Sequence, residues 1–568
     1  MRFLISLSND KFPAHNSITL GQMKMELSAK GLVGLGALLI FPCLSYAATP
    51  EEECQSLTKM TLTGVNISQV EWVKAGNASK DKMAALTGAS ASGNKLPAHC
   101  RVNGAINERI GADEKPYAIK FELRLPSNWQ GDFLFQGGGG LDGFVANAVG
   151  SIPVHGATAA PALQRGFAVV SMDGGHEGRN AQFAYDQQAR LDYAYQAIGK
   201  VTTTAKAMIR HYYHQQISQS YFMGCSNGGR EAMLAAERYP TEFNGVIVGD
   251  PGFRLSHAAI GEVWDTQALT AVAPKDKQGR PILAQAFSDA ELKLVSNAIL
   301  AECDDKDGLK DGLINNYPAC HFNPVVVQCK QGESANCLSK AKVDALAKVF
   351  SGAKDSHGNA LYASWPYDAG ISAKGWRNWK LGDSNDATKP NALNIVLGRD
   401  SMVNYYMTPP MPDFDLAKFD FDKDPARIQE TAAINDATST YLNTFEKNGG
   451  KILIYQGVSD PVFSTDDIKD WYNQVEQNTS GGDKVAQREW ARLFMVPGMT
   501  HCGDGPALDD FDPLTAMQNW VEKHQAPEQM IAQGKAFPGK QQPLCVYPKV
   551  AYYKGKGDIN QAASFECR

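Results

Sequence analysis

A short stretch near the middle of the chain constrains the fold more than any other feature. Tyr221-Phe222-Met223 runs into Gly224-Cys225-Ser226-Asn227-Gly228-Gly229, strong helix formers follow from Arg230 to Arg238, and Gly245-Val246-Ile247-Val248-Gly249 resumes an apolar run ending at Asp250-Pro251-Gly252. Strand, tight turn, helix and strand in that order require a parallel pair, and a parallel sheet must be covered by helices. The same alternation holds upstream. Tyr117 to Leu125 alternates apolar and polar residues as a half-buried strand does, Phe133-Leu134-Phe135 leads into the glycines 137–140, Phe167 to Asp173 reads as another strand, and Leu191 to Tyr212 as a helix. From about Phe253 to Gly450 the pattern gives way to irregular stretches rich in Trp, Asp, Asn and Pro, and it returns at Lys451 to Tyr455 and Arg492 to Val496. The expected architecture is an α/β core made of residues 49–252 and 451–568, with residues 253–450 inserted as a lid carrying four cysteines.

At 568 residues, 43% hydrophobic and 20% charged, the chain can bury a large core. A net charge of -6 and the absence of any Lys/Arg-rich run argue against nucleic acid as a partner. Near the N-terminus Gly31 to Leu44 is apolar, preceded by Lys24 and Lys30 and followed by Ser45-Tyr46-Ala47-Ala48, which reads as a secretory signal peptide over 1–48 cleaved near Ala47 or Ala48. A membrane anchor is the rival reading, but the run is broken by Pro42 and falls short of the roughly 20 residues a span needs. Phe41-Pro42 makes Cys43 a poor lipoprotein anchor, and the polar residues ahead of Met23 make Met23 or Met25 a candidate start. The expectation is a secreted or periplasmic protein with no membrane attachment after cleavage. Of eleven cysteines, ten remain once Cys43 leaves, and an even count in an exported chain favours disulfides. No C-x-x-C spacing supports a metal-thiolate site.

A serine hydroxyl is a weak nucleophile unless a base lies within hydrogen-bond reach and donors await the oxyanion. Gly224-x-Ser226-x-Gly228 between strand and helix is the nucleophile-elbow pattern of the α/β-hydrolase class, in which the acid and then the histidine follow the serine. Asp460 stands just after the strand at 451–455, and His501 just after the strand at 492–496. A turn-forming Asp before Pro461 and a structural histidine are the plainer readings. Position decides for His501, because His99, His155 and His176 precede the serine, His257, His321 and His357 fall in the insertion, and His524 lies in a helical stretch. The N–H of Asn227 and one from the glycine run, at Gly140, are the expected oxyanion donors, against an ordinary tight turn. A Ser–His hydrogen bond would also bring Cys225 and Cys502 together, which predicts a bridge between them.

Cys303 to Leu313 (CDDKDGLKDGL) interleaves Asp304, Asp307 and Asp311 with glycines, a set of hard oxygen donors of the kind calcium takes; a solvated acidic loop is the alternative, and the spacing is not that of an EF-hand.

Taken together, Gly224-Cys225-Ser226-x-Gly228-Gly229, Asp173-Gly174-Gly175-His176, the 304–313 loop, Gly375-Trp376-Arg377 and Pro497-Gly498-Met499-x-His501-Cys502 resemble the tannase and feruloyl esterase family from about Cys54 to the last cysteine. The resemblance implies structural Ca2+ in the lid, held by Asp304, Asp307 and Asp311 with the carbonyls of Leu309 and Leu313, and hydrolysis of small aromatic esters. It also implies that the other cysteines pair locally as Cys54–Cys100, Cys303–Cys320, Cys329–Cys337 and Cys545–Cys567. Phe419-Asp420-Phe421-Asp422 and the ending Tyr553 to Asn560 further resemble members acting on terephthalate monoesters, in which a lid arginine faces the substrate carboxylate. Here Leu393 stands at that place, with Arg399 nearby, so feruloyl, galloyl or related esters are expected, with terephthalate monoester as the alternative. Trp376, Trp379 and Phe463 are candidates for the acyl pocket. An exported binding protein with a lost triad, or a metal-dependent hydrolase, explains the ordered Ser, Asp and His less well.

Overall fold

The structure, a computed structural model, describes residues 48–78, 83–89 and 95–568; apart from Ala48, the expected signal segment lies outside the described residues. Nine strands form the main sheet: β1 (Val65–Val73), β2 (His99–Ile110), β3 (Pro116–Pro126), β4 (Asp132–Gln136), β5 (Ala168–Met172), β6 (Gln219–Cys225), β7 (Gly245–Gly249), β8 (Lys451–Gly457) and β9 (Ala491–Val496). Their order is β1-β2-β3-β5-β4-β6-β7-β8-β9. From β5 to β9 every neighbouring pair is parallel, while β1, β2 and β3 extend one edge antiparallel.

The central strands are buried on both faces, as a parallel sheet under helices must be. Successive side chains of β6 part accordingly: Phe222 joins the cluster beneath α1 (Ala197–Tyr213) and α2 (Asn227–Arg238), whereas Tyr221 and Met223 join the cluster on the opposite face. The helix expected over 191–212 is preceded by an α turn at Gln187–Leu191 and a π segment at Asp192–Gln196. It ends at His214, whose φ of 50° stops the helix.

Residues 253–450 contribute no strand to the main sheet. They fold as α3 (Leu255–Thr270), α4 (Asp289–Cys303), a further helix at Lys340–Phe350, α5 (Lys374–Lys380) and a series of other helical segments. Their apolar side chains, among them Leu292, Val295 and Trp376, belong to the same hydrophobic cluster as β6 and β8, so the insertion is cored on the sheet layer itself. After β8 come α6 (Thr465–Asn478) and, beyond β9, α7 (Pro513–Lys523), whose Leu514, Met517 and Trp520 cover the opposite face. Disulfides join Cys54–Cys100, Cys225–Cys502, Cys303–Cys320, Cys329–Cys337 and Cys545–Cys567. Among the described residues no helix is long and apolar enough to cross a membrane.

Candidate active site

Ser226 occupies the turn between β6 and α2 with φ 63° and ψ −126°, a conformation that an L-residue holds only under constraint. The constraint is visible in its glycines. A Cβ on Gly224 would come within 2.5 Å of the Gly228 backbone, and one on Gly228 within 2.6 Å of the Gly138 carbonyl, so the turn closes only with both positions bare. The Ser226 N–H donates to the Gly249 carbonyl (3.0 Å), and the Ser226 carbonyl accepts from Gly252 (3.2 Å), tying the turn to the end of β7.

His501 reaches this turn from the loop after β9. Ser226 Oγ–H points to His501 Nε2 at 2.8 Å, and His501 Nδ1 lies 2.9 Å from Asp460 Oδ2 in the loop after β8. A carboxylate can only accept, so Nδ1 carries the imidazole proton and Nε2 is left as the acceptor for the serine. The other oxygen of Asp460 accepts from the N–H groups of Val462 (2.8 Å) and Phe463 (3.1 Å), which fixes the carboxylate's rotation. Burial works to lower the pKa of His501, but Asp460 beside it more than offsets this and leaves it above the ordinary 6.5. The rings of Trp379 and Phe463 stand edge-on to the imidazole at 5.3 and 5.2 Å.

A third carboxylate is present. Asp250, at the end of β7, is fully buried with φ 34°; its Oδ1 accepts from Gly457 N–H (2.6 Å) and its Oδ2 from Cys502 N–H (2.7 Å). Polar atoms of Asp250, Asp460 and His501 all lie within 4.8 Å of one another. Burial, and then the charge of Asp460, pushes Asp250 up to about 8. It thus fastens the β8 loop that carries Asp460 to the β9 loop that carries His501. The residue went unread in the sequence because Asp before Pro-Gly also suits a plain turn, yet it shares with Asp460 and His501 a place just beyond a buried strand. The Cys225–Cys502 bridge, with Cα atoms 6.1 Å apart, ties the serine turn to the histidine loop covalently.

Asn227 opens α2, so its N–H is among the four that a helix leaves without an intrahelical acceptor. Its side chain is engaged elsewhere, donating to Asp142 Oδ1 (2.6 Å) and accepting from Arg230 Nε (2.7 Å). Gly140, with φ +60°, lines the same cavity as Ser226 and Asn227. This cavity, of about 50 Å3, is walled by Leu255, Ala259 and Glu262 from α3, by Trp379, by Leu397, Gly398, Ser401 and Tyr406 from the insertion, and by Val462 and Phe463. A buried serine, a histidine freed to accept its proton, and backbone donors at a helix start form an arrangement suited to acyl transfer.

The Tannase and feruloyl esterase family matches residues 100–568 of the chain. The chain belongs to the tannase and feruloyl esterase family. It is 40% identical over 527 residues to the mono(2-hydroxyethyl) terephthalate hydrolase of Piscinibacter sakaiensis, covering 84% of this chain and 86% of that one. Feruloyl esterase B from Aspergillus oryzae superposes with a TM-score of 0.76 at 26% identity over 92% of this chain and 100% of its own. Tannin acyl hydrolase from Aspergillus niger, at TM-score 0.69 and 22% identity over 92% of this chain and 96% of its own, shares the fold. Like its family, the chain is a carboxylic ester hydrolase of the α/β class.

Two residues expected at the acyl pocket of this esterase lie outside the Ser226 cavity. Trp376 is 4% exposed and packs behind Asp460 with Trp365 and Ile371, because on α5 it projects into the core while Trp379, three residues on, faces His501. Arg399 sits on a single helical turn whose Gly398 and Ser401 face the serine; its own side chain turns away, donating to the Pro412 carbonyl (3.0 Å) and lining a neighbouring cavity with Gln267.

In the acidic loop, Asp304 Oδ1 accepts from Gly312 N–H (3.0 Å) and Asp307 Oδ2 from Asn315 (3.0 Å), while Asp311 Oδ2 turns to Lys540 Nζ (2.6 Å) and Gln542 Nε2 (2.8 Å). Burial raises Asp304 and pushes Asp307 up to about 6, and the charge of Asp311 adds to both. The carboxylates and the carbonyls of Leu309 and Leu313 in the same loop are oxygen donors of the type that a hard divalent cation takes, although Asp311 is here paired with Lys540.

Proposed function

We propose that the chain is an exported serine esterase that cleaves aromatic carboxylic esters through an acyl-enzyme on Ser226. His501 takes the Ser226 proton as Oγ attacks the ester carbonyl, and Asp460 holds the imidazole in the tautomer that can accept it. The oxyanion of the tetrahedral intermediate rests on the N–H groups of Gly140 and Asn227 at the start of α2. His501 then gives its proton to the leaving alkoxide, and a water activated by the same histidine frees the acid and restores the serine. What carries the reading is the continuous hydrogen-bond chain from Ser226 Oγ (2.8 Å) through His501 to Asp460 (2.9 Å). Hydrolysis of a chromogenic aromatic ester, with and without a serine-directed inhibitor, tests it: activity that survives the inhibitor sinks the mechanism.

Feruloyl, galloyl and similar acids are the acyl groups that we favour. A terephthalate monoester is the second reading, supported by the 40% identity to a hydrolase named for that substrate. Comparing methyl ferulate, methyl gallate and a terephthalate monoester as substrates separates the two. Export is supported by five disulfides, which persist in oxidising compartments.

Calcium in the 304–313 loop completes the proposal as a structural ion, held by Asp304, Asp307, Asp311 and the carbonyls of Leu309 and Leu313, with Asp311 released from Lys540 to reach it. An ion that binds only the folded chain stabilises it by about 2.7 kcal/mol at 100 times its Kd. Chelation should therefore lower Tm, and Asp307→Ala should lose the calcium response; a Tm indifferent to chelator and to added calcium leaves only a solvated turn.

A further inference from the structure

The wall of the Ser226 cavity is mostly apolar or already engaged. Ser401 Oγ donates to the carbonyls of Leu397 (2.9 Å) and Gly398 (3.1 Å), Asn227 is held by Asp142, and Ser226 by His501. Among the described residues, two polar side chains in the wall make no hydrogen bond: the carboxyl of Glu262 and the hydroxyl of Tyr406. Glu262 lies one turn beyond Ala259 and two beyond Leu255, on the face of α3 turned to the cavity, and is 8% exposed. Its Oε2 hangs over Gly398, where a Cβ would come within 2.0 Å, so the bare glycine is what gives the carboxyl its room. Lys380, the nearest cation, closes on Asp265 instead, as a fully buried ion pair. Leaving a carboxyl without a partner in an apolar pocket is unfavourable, and such groups persist where a ligand completes them.

We infer that Glu262, with Tyr406 in the same cavity wall, is a specificity-determining residue that hydrogen-bonds a ring hydroxyl of the aromatic acid, selecting esters of phenolic acids. The inference rests on the reading of the chain as an aromatic esterase acting through Ser226. Burial pushes Glu262 up to about 8, with Lys380 opposing and Asp265 adding, so at neutral pH it presents both a donor and an acceptor. A phenol needs both, since it gives one hydrogen bond and takes another. Among the described residues no lysine or arginine lines the cavity, so an acid with a second, ionised carboxylate finds no countercharge there and meets a carboxyl instead. The polar end of the pocket thus discriminates between hydroxylated and carboxylated rings.

The test is the ratio of kcat/KM for methyl 4-hydroxycinnamate over methyl cinnamate, which differ by one ring hydroxyl. A site with polar groups waiting for a hydroxyl should favour the hydroxylated ester by about 10 to 100-fold, the cost of leaving one buried polar group unsatisfied. Glu262→Leu should bring the ratio close to one. Glu262→Gln, nearly isosteric, and Tyr406→Phe should each lower it in part, and they keep the test informative should the leucine variant fold poorly. A merely structural role would slow both esters alike and leave the ratio where it was. Monomethyl terephthalate should be the poorest of the three substrates, and more so as pH rises and Glu262 ionises beside it. A wild-type ratio near one, or a ratio unmoved in all three variants, overturns the inference while leaving the esterase reading intact. Turnover of neither ester, or turnover that survives Ser226→Ala, overturns the esterase reading and the inference with it.

Discussion

The two halves of the active-site cleft are built on different principles. On the sheet side, Ser226, Asp460 and His501 each stand on a tight turn just past a buried strand, and each turn is fixed several times over: by glycines that admit no side chain, by the Asp250 hydrogen bonds and by the Cys225–Cys502 bridge. On the insertion side, the wall comes from α3, α5 and single helical turns, and what faces the serine depends on which side of a short helix a residue occupies. The contrast separates chemistry from selection. Proton transfer demands fixed distances, which strand ends and covalent ties provide; a pocket wall only has to present the right groups, and helix packing is enough for that.

The largest effect that could break this division is on the serine. Ser226→Ala should lower kcat by about 10^4 to 10^6-fold, because nucleophile and base act as one unit, while circular dichroism and Tm stay close to those of the parent. Activity close to the parent's would place the chemistry elsewhere in the cleft. Next comes the tie between the loops. Replacing Cys225 and Cys502 by alanine opens a loop of 277 residues, for which chain entropy alone gives a loss of stability on the order of 5 kcal/mol. Because the same pair spans the serine turn and the histidine loop, kcat should fall together with Tm. Removing Cys329–Cys337, which closes a separation of 8 residues within the insertion, should cost less and spare kcat.

The same contrast governs what could be read from the sequence. Seven of the strands in the sheet are legible, six as apolar runs bounded by glycine, aspartate or proline and β3 as an alternating one, and Ser226, Asp460 and His501 sit just past three of them, so order and position along the chain were enough to single out the three residues that the structure brings together. β1 escaped notice because its exposed and half-buried residues blur the alternation, and β2 because it is a long edge-side strand of mixed character. In the insertion, residue type was legible but side-chain direction was not. Trp376 and Trp379 differ by three positions on one helix, yet one is core and the other touches the histidine; Arg399 and Gly398 are adjacent, yet face different cavities. Glu262 lies within a helix and belongs to no motif. Substitution sharpens the point: Trp376→Ala should cost about 3 to 5 kcal/mol of stability as a core truncation. Trp379→Ala, half-buried beside His501, should change kcat/KM more than Tm. The reverse outcome would invert the assignment of the two rings.

The smallest expected effect is a displacement of the pH profile, and it links catalysis to stability through one imidazole. His501 can accept the Ser226 proton only when Nε2 is free, so kcat/KM must fall as the histidine becomes protonated. The groups facing the ring are the carboxyls of Asp460 and Asp250 and the apolar edges of Trp379 and Phe463. Burial opposes the charged imidazolium, but Asp460 at 2.9 Å more than makes up for it, and the net shift is upward from 6.5. The acid limb of kcat/KM should therefore have its midpoint above 6.5, at the same pH for esters with different leaving alcohols. A midpoint at or below 6.5 would mean that Asp460 does not govern the histidine. For stability the sign runs the other way. A histidine whose pKa is raised in the folded chain contributes stability that is fully present below 6.5 and is lost as pH rises through the folded value. Other buried carboxyls titrate in this range, so the comparison has to be with His501→Gln: the Tm advantage of the parent over that variant should shrink as pH climbs from 6.5, over the same interval in which kcat/KM rises. The active form of the esterase is then the one in which the Asp460–His501 pair has given up its charge-pair stabilisation, and the rigid ties of the sheet side, above all Asp250 and the Cys225–Cys502 bridge, hold the loops in register without it.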